Sequence, residues 1–571
     1  MWIRRCCAVL LCFCAAPPAI AQGGAAGASV QEQSSGPEIL VEGTTEKKSN
    51  WKRAEAEHVI VFSDGSEAEL IRVTNNLERL YRLMSRIYRR GNLADDTVKL
   101  QVTLFDSTKF FSAMGLKNLR WEEGPYTAQF TDQRYYDARD DGDVIALARA
   151  DQIIELDTVR AQNLDCDDVY AEGGLECVNP RPHLPTVRSW EAVLYSAFAQ
   201  HFLLTYTQAA YPRWYLDGVG ALFSTLELRK DGSVDYARPP EAFLQYFRSY
   251  GDLDVGEVLT GRYLDPASKA KWSPYHAWLV AHYFLYSKLT PQRSQQFAQY
   301  MRAIHQGTPM AKAAEVFGNM DKLQREIMAY GRDRTRFART DPLPALDGDP
   351  LVTTLSLSSA ATIEMRIELG PRLETADTAG TADWLARVRQ KVAQLPFDAD
   401  ALLVVAEAEC RSGHPDECLT TAERVLEKSP DNARALAWKG VALTDKAVAG
   451  PSVDRAATLA NARKAIARAL QFDGQASLPL IAYFQSFTKA GERPTDTAMR
   501  AIAKAIGLVP DAPGPRLYLG EELVRQGQTA LAQSILYPLL YGADNSPEKR
   551  VAAALFARAG SAPATGTAGA P

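Results

Sequence analysis

Three absences frame this sequence of 571 residues. After the first two dozen residues, no stretch reaches about 18 uninterrupted apolar residues, the length a spanning helix needs. No Lys/Arg block stands out in a chain with 64 Lys+Arg against 69 Asp+Glu, so nucleic acid is not expected as the main partner. There is no Gly-x-Ser-x-Gly elbow and no Walker loop, so neither serine-elbow acyl transfer nor P-loop nucleotide chemistry is expected. Cysteine is sparse: eight in all, four of them near the start.

Those four, Cys6, Cys7, Cys12 and Cys14, lie in a stretch that reads as a secretory signal. Arg4 and Arg5 precede an apolar run from Ala8 to Ala15, and Ala19-Ile20-Ala21 precedes Gln22. A signal over 1–21 implies an exported protein, periplasmic or secreted. The other four form two close pairs, Cys166 with Cys177 and Cys410 with Cys418. An even number of paired cysteines on an exported chain is expected to form disulfides. Zinc is the competing reading, but neither pair has C-x-x-C spacing and only His414 stands nearby.

Along the chain, 22–50 is polar and small, without apolar periodicity, and is expected as a disordered lead. His58 to Ser63 reads as a strand, closed by Asp64-Gly65. Ser66 and Glu69 then form a capping-box pattern for a helix to about Arg90. Its arginines, Arg72 to Arg90, read as a solvated face. Further strands are expected over Val98–Phe105, Tyr126–Thr131 and Asp143–Ala148. Helices dominate from Trp190, including an apolar one from Ser273 through Leu285 and amphipathic ones at 291–305, 309–317 and 320–332. Asp341 to Pro350 reads as a connector, within a linker of uncertain structure over 341–384.

Residues 385–560 repeat themselves. Phe397-Asp398-Ala399, Pro430-Asp431-Asn432, Phe472-Asp473-Gly474 and Pro510-Asp511-Ala512 each introduce an Ala/Leu-rich helix pair. The first interval, 33 residues, is near the 34 of a tetratricopeptide (TPR) repeat, and the others, 42 and 38, are longer. This part resembles TPR repeats, which implies a concave groove holding a protein or peptide partner; a helical spacer is the alternative. In its first unit, Cys410 and Cys418 flank a tight turn at Gly413. A disordered tail is expected over 561–571.

The most informative stretch is Trp190 to Leu226. An apolar helix containing Ser196-Ala197-Phe198-Ala199-Gln200-His201-Phe202 is followed by Tyr211-Pro212-Arg213-Trp214-Tyr215-Leu216-Asp217-Gly218 opening a second helix. With the Phe-Ala-x-His-Phe core and the Tyr-Pro-x-Trp-x-x-acid-Gly line, the region 51–340 resembles peptidase-MA-like domains, gluzincin-type zinc metallopeptidases of exported bacterial proteins. In that family two His at i and i+4 hold zinc, the Glu beside the first activates water, and an acid on the next helix is the third ligand. Carried over position by position, the ligand histidines fall on Ser196 and Gln200, the base on Ala197, the third ligand on Asp217 and a second motif Glu on Ala221.

The resemblance therefore implies an α+β class: a small mixed sheet with a helical gluzincin-like domain, then an all-α TPR-like solenoid. It also implies that the reaction is gone, with no catalytic residue, no metal and no cofactor. His201 sits about 100° around the helix from Gln200, which suits packing or hydrogen bonding better than ligation. His201, Tyr211, Trp214, Tyr215 and Asp217 remain as candidates for a binding cleft, although for each residue taken singly the packing reading is favoured. The expectation is an exported pseudo-metallopeptidase that binds a peptide, protein or envelope component. Two alternatives stay open: a zinc peptidase with non-standard ligands, including Asp217 and His201, and a structural TPR scaffold of an envelope complex.

Overall fold

Strands with apolar residues on alternate or on both faces build a six-stranded mixed sheet in the computed structural model. In chain order they are β1 (Lys48–Glu55), β2 (Val59–Ser63), β3 (Leu100–Phe105), β4 (Arg134–Asp137), β5 (Val144–Ala148) and β6 (Leu351–Ser356). Their order across the sheet is β6-β1-β2-β3-β5-β4. The β2/β3 and β3/β5 pairs are parallel; the others are antiparallel. Described are residues 48–561 apart from 90–96, 114–128, 131–133, 151, 156–167, 172–173, 178–185, 208, 241–253, 263–273, 333–336, 375–377, 451–453 and 541–546. They all belong to one unit, Lys47–Pro571. The expected signal, most of the lead, the tail and Cys166 lie outside the described residues.

β5 shows how the sheet organises the molecule. Successive side chains point to opposite faces, and all five residues of Val-Ile-Ala-Leu-Ala are buried. Ile145 and Leu147 join a core with Leu70, Leu77 and Leu80 of α1 (Glu67–Ile87). Val144, Ala146 and Ala148 face the other way and pack with Phe105, Phe111 and Ile367. Both faces are covered, which is why this strand reads as a continuous apolar run. α1 starts where the capping box puts it: Ser66 accepts from the Glu69 amide at 3.2 Å. On its outer side Arg82 and Arg86 are not merely solvated; they hold the 341–347 connector through Ala345 O and Asp341.

The first domain's helices include α2 (Trp190–Tyr206), α3 (Arg213–Phe223) and α4 (Pro274–Tyr286). α3 approaches α4 closely because position 218 is glycine: a Cβ there would stand 2.5 Å from both the Ala277 carbonyl and the Ala281 methyl. Trp214 and Trp278 are fully buried nearby.

The linker expected over 341–384 is corrected by the structure. β6 pairs with β1 and completes the sheet. It runs straight into α5 (Leu357–Glu374), which pairs with α6 (Thr378–Ala393) and packs on the next helix. Alternating β6 and the 363–369 stretch were ambiguous locally, and long-range pairing decided them. The helical array thus starts at Leu357, not at 385.

Antiparallel pairs continue the array: α7 (Ala399–Arg411) with α8 (Pro415–Lys428), α9 (Ala433–Ala449) with α10 (Arg455–Phe472), α11 (Ser477–Thr488) with α12 (Asp496–Leu508), and α13 (Pro513–Arg525) with α14 (Thr529–Leu540) and the closing α15 (Pro547–Ser561). Asp398 and Asn432, read as repeat openers, cap α7 and α9 by accepting from Ala401 N and Ala435 N, each at 2.9 Å. Gly413 takes positive φ (78°) in the α7–α8 turn. Across that turn Cys410 and Cys418 are disulfide-bonded with Cα atoms 5.2 Å apart, within the usual range. The first helices of successive pairs, α5, α7, α9, α11 and α13, touch one another in sequence and form an inner layer.

Part of that inner layer is covered by the protein itself. The turn between β4 and β5, residues 138–143, lies against it. Arg139, almost fully buried, donates to Arg366 O at 2.8 Å, and Ser477 donates to Asp140 O at 2.5 Å. Arg434 donates to Asp141 at 3.1 Å. A Cβ at Gly514 would run into Asp140 Oδ1. The face where a partner peptide was expected therefore receives an acidic turn from the first domain.

Candidate functional site

The site is built on one helix that carries polar residues at two points. α2 is apolar nearly all round, and Ser189 caps it through the Ala192 amide at 3.2 Å. Ser196 and Gln200, four residues apart, share a face. That face meets α3 at Gly220, whose hydrogen is what fits: a Cβ would lie 2.7 Å from Ser196 Oγ and 3.1 Å from Gln200 Nε2. Gln200 Nε2 donates to Asp217 Oδ1 at 3.3 Å. The three positions that would carry zinc ligands thus stand together.

Charge at that point is already balanced. Arg213, one helical turn before Asp217, donates through Nε to both carboxylate oxygens at 3.0 and 3.1 Å. The Asp217 side chain is 2% exposed and that of Arg213 21%. A guanidinium cannot give up its proton in a protein, so a permanent cation stands against the one carboxylate of the set. Zinc, which the resemblance would imply, does not fit a hydroxyl, an amide and a carboxylate already paired with arginine. Ala197, where the resemblance would imply a general base, is buried and has nothing to take a proton.

His201 faces away from this point. Its ring is 1% exposed and its Nδ1 lies 3.0 Å from Asp143 Oδ2. Thr205 also donates to that oxygen, at 3.2 Å. The Tyr136 hydroxyl closes the group: it donates to Asp511 and stands 3.4 Å from Asp143 Oδ2. His201 Nε2 and Asp143 Oδ1 have no hydrogen-bond partner among the described residues. Asp511 belongs to the array, just before α13, so this group is the seam between domain and array. Burial, then the neighbouring Asp143, pushes the Asp511 carboxyl up to about 7. The same causes push Tyr136 well above its usual range.

The remaining cleft candidates are packing residues. Trp214 is wholly buried and donates to the Tyr300 hydroxyl at 3.1 Å. Tyr211 stacks on Tyr215 with centroids 5.1 Å apart, and Tyr215 meets Tyr88, hydroxyl to hydroxyl, at 3.3 Å. Tyr211, Trp214, Tyr215, His201 and Asp217 are all buried, in keeping with the packing reading of each.

Among the described residues one His/carboxylate group has metal-compatible spacing, Glu57, His58 and Glu78. Glu78 is already engaged, accepting from the His58 amide at 2.8 Å and meeting its ring Nδ1 at 2.7 Å, while the ring stacks on Tyr81. This is a clamp between β2 and α1. Sequence reasoning missed Arg213 and Asp511. Arg213 was visible as a basic residue at i−4 from the surviving acid; Asp511 looked like one more repeat opener.

No family model matches the chain, and no curated protein matches it. A solved structure to which it is similar is a thermophilic TPR protein from Thermus thermophilus, at 17% identity and a TM-score of 0.31. The match covers 35% of this chain and 99% of that one. The repeat-like architecture rests on the helix pairs themselves.

Proposed function

We propose that the protein is an exported, non-catalytic binding protein: a gluzincin-like helix pair without its metal ligands, joined to a TPR-like array that serves protein–protein interaction. The observation carrying this reading is the Arg213 guanidinium on Asp217, with Ser196 and Gln200 where imidazoles would be needed. The alternative of a metal site from Asp217 and His201 is disfavoured, because one faces Arg213 and the other Asp143. A second reading, the array as a structural scaffold, is favoured by the acidic turn that already lies on its inner layer. Partner docking then falls to the outer helices α8, α10 and α12 and the C-terminal helices.

The test is metal analysis of full-length protein purified without chelator, together with hydrolysis of an unfolded protein substrate. Less than stoichiometric zinc and no hydrolysis are expected. Zinc at one per chain, or hydrolysis abolished by Asp217→Ala, would overturn the reading. The aligned frame has its own check. The variant Ser196→His, Ala197→Glu, Gln200→His, Arg213→Met should gain zinc affinity, and a folded variant that gains none counts against the alignment.

A further inference from the structure

A cleft of about 740 Å³ opens between the second face of the sheet and the array, within the range of small-molecule sites. Its floor carries Ile60, Phe62, Gln101 and Thr103. Near β5 the same face of the sheet is covered by Ile367 of α5, but toward β1 and β2 the helices stand off. Ile363 and Arg366 of α5 form one wall, and the N-terminal turns of α7, α9 and α11 form the other. The recess has apolar residues, Ile60, Phe62 and Ile363, beside the polar Gln101 and Thr103, and carries charge at its ends.

Two pairs of cations border it, and both are incompletely matched. Arg53 and Lys99 share one carboxylate, Glu55, each at 2.6 Å. Arg366 and Arg434 converge on Asp141 at 3.6 and 3.1 Å. Arg434 also holds Glu407 at 2.7 Å, and Glu407 is shared with Arg411. The Nε atoms of Arg366 and Arg434 are buried without a partner among the described residues. Burial, then the neighbouring Arg434, lowers Arg366 to about 10, as expected of a cation short of counter-charge. The acids Asp400 and Asp473 also border the cleft but are exposed, at its rim.

The third element is α11. α7 and α9 carry side-chain caps, whereas α11 starts at Ala476 with no side-chain cap, and its first residues line the cleft. The Ser477 and Leu478 amides and the helix dipole favour negative charge at that end, Pro479 having no N–H to add.

We propose that this cleft binds a small organic anion with an apolar body, its carboxylate or phosphate head at Arg366, Arg434 and the start of α11, and its body along Ile60, Phe62 and Ile363. The assignment stands whether or not the α2–α3 pair has lost catalysis, since the two sites share no residue. Calorimetric titration of the full chain with four probes of one tail tests it: octanoate, octyl phosphate, octanol and octyltrimethylammonium. Both anions should bind at least about tenfold more tightly than the alcohol, and the cation should not bind. Arg366→Gln should remove that preference. Because Arg366 also tethers Asp141, two further variants keep the test open: Lys99→Glu, which should weaken both anions, and Ile363→Trp, which should block all binding by filling the apolar wall. Equal binding of all four probes, binding of none at millimolar concentration, or anion binding unchanged in folded Arg366→Gln and Ile363→Trp would each overturn the proposal.

Discussion

Gln200 and His201 are neighbours in sequence, yet they serve two differently balanced acid sites on two sides of α2. On the Gln200 side, Asp217 meets a guanidinium and an amide. On the His201 side, Asp143 and Asp511 converge on one tyrosine hydroxyl. A buried carboxylate needs a compensating partner. The first site has a permanent cation, the Arg213 guanidinium. The second has two acids, one hydroxyl and one imidazole, and there burial and the neighbouring Asp143 raise the Asp511 carboxyl. One helix therefore carries a locked site and a titratable seam.

The largest predicted effect breaks the locked side. Arg213→Met leaves Asp217 buried without its cation and should cost about 3 kcal/mol in urea denaturation. Adding Asp217→Leu should recover most of that loss, because an apolar pair replaces a buried ion pair at little cost. If Arg213→Met is neutral, the guanidinium is not what compensates Asp217.

Next comes the packing that holds that side shut. Gly218→Ala places a methyl 2.5 Å from the Ala277 carbonyl and the Ala281 methyl, against the helix backbone rather than a movable side-chain end. Overpacking of this kind should cost about 1–3 kcal/mol, read as a lower urea midpoint at unchanged m. A loss below about 0.5 kcal/mol would mean that α3 and α4 slide apart easily.

A pH dependence sharpens the other side of the comparison. The Asp511 carboxyl is raised to about 7 in the fold, so between its ordinary value and about 7 the native state holds a proton that the unfolded chain has released. Stability from this group is full below the unfolded value and is lost as pH rises through about 7. The slope is at most about 1.4 kcal/mol per pH unit for one proton. Asp511→Asn should remove that slope when urea midpoints of variant and wild type are compared from about pH 5 to about pH 8.5. Parallel profiles would show that Asp511 does not hold the proton at the seam.

Much of the fold was legible locally. The capping box at Ser66, the helices from Trp190 to Arg332, the openers Asp398 and Asn432, and the Cys410–Cys418 bridge all depend on residues within a turn or two of one another. What escaped depends on distance in sequence. β6 is joined to β1 by a register that pairs Glu55 with Leu351, and nothing within 351–356 announces it. The candidate site was half legible: spacing put Ser196, Gln200 and Asp217 on facing helices, but burial made core residues of Tyr211, Trp214 and Tyr215.

By itself, the sequence determined the periodicities, the caps and the local disulfide, since each is a property of residue type at short spacing. Only the tertiary structure decided that Arg213 would neutralise Asp217, that an acidic turn would lie on the array's inner layer, and that Tyr136 would meet Asp511 across a separation of 375 residues. The physical reason is that a carboxylate's charge state depends on what surrounds it in space, and for these acids the surroundings come from elements far along the chain or from the packing of whole helices.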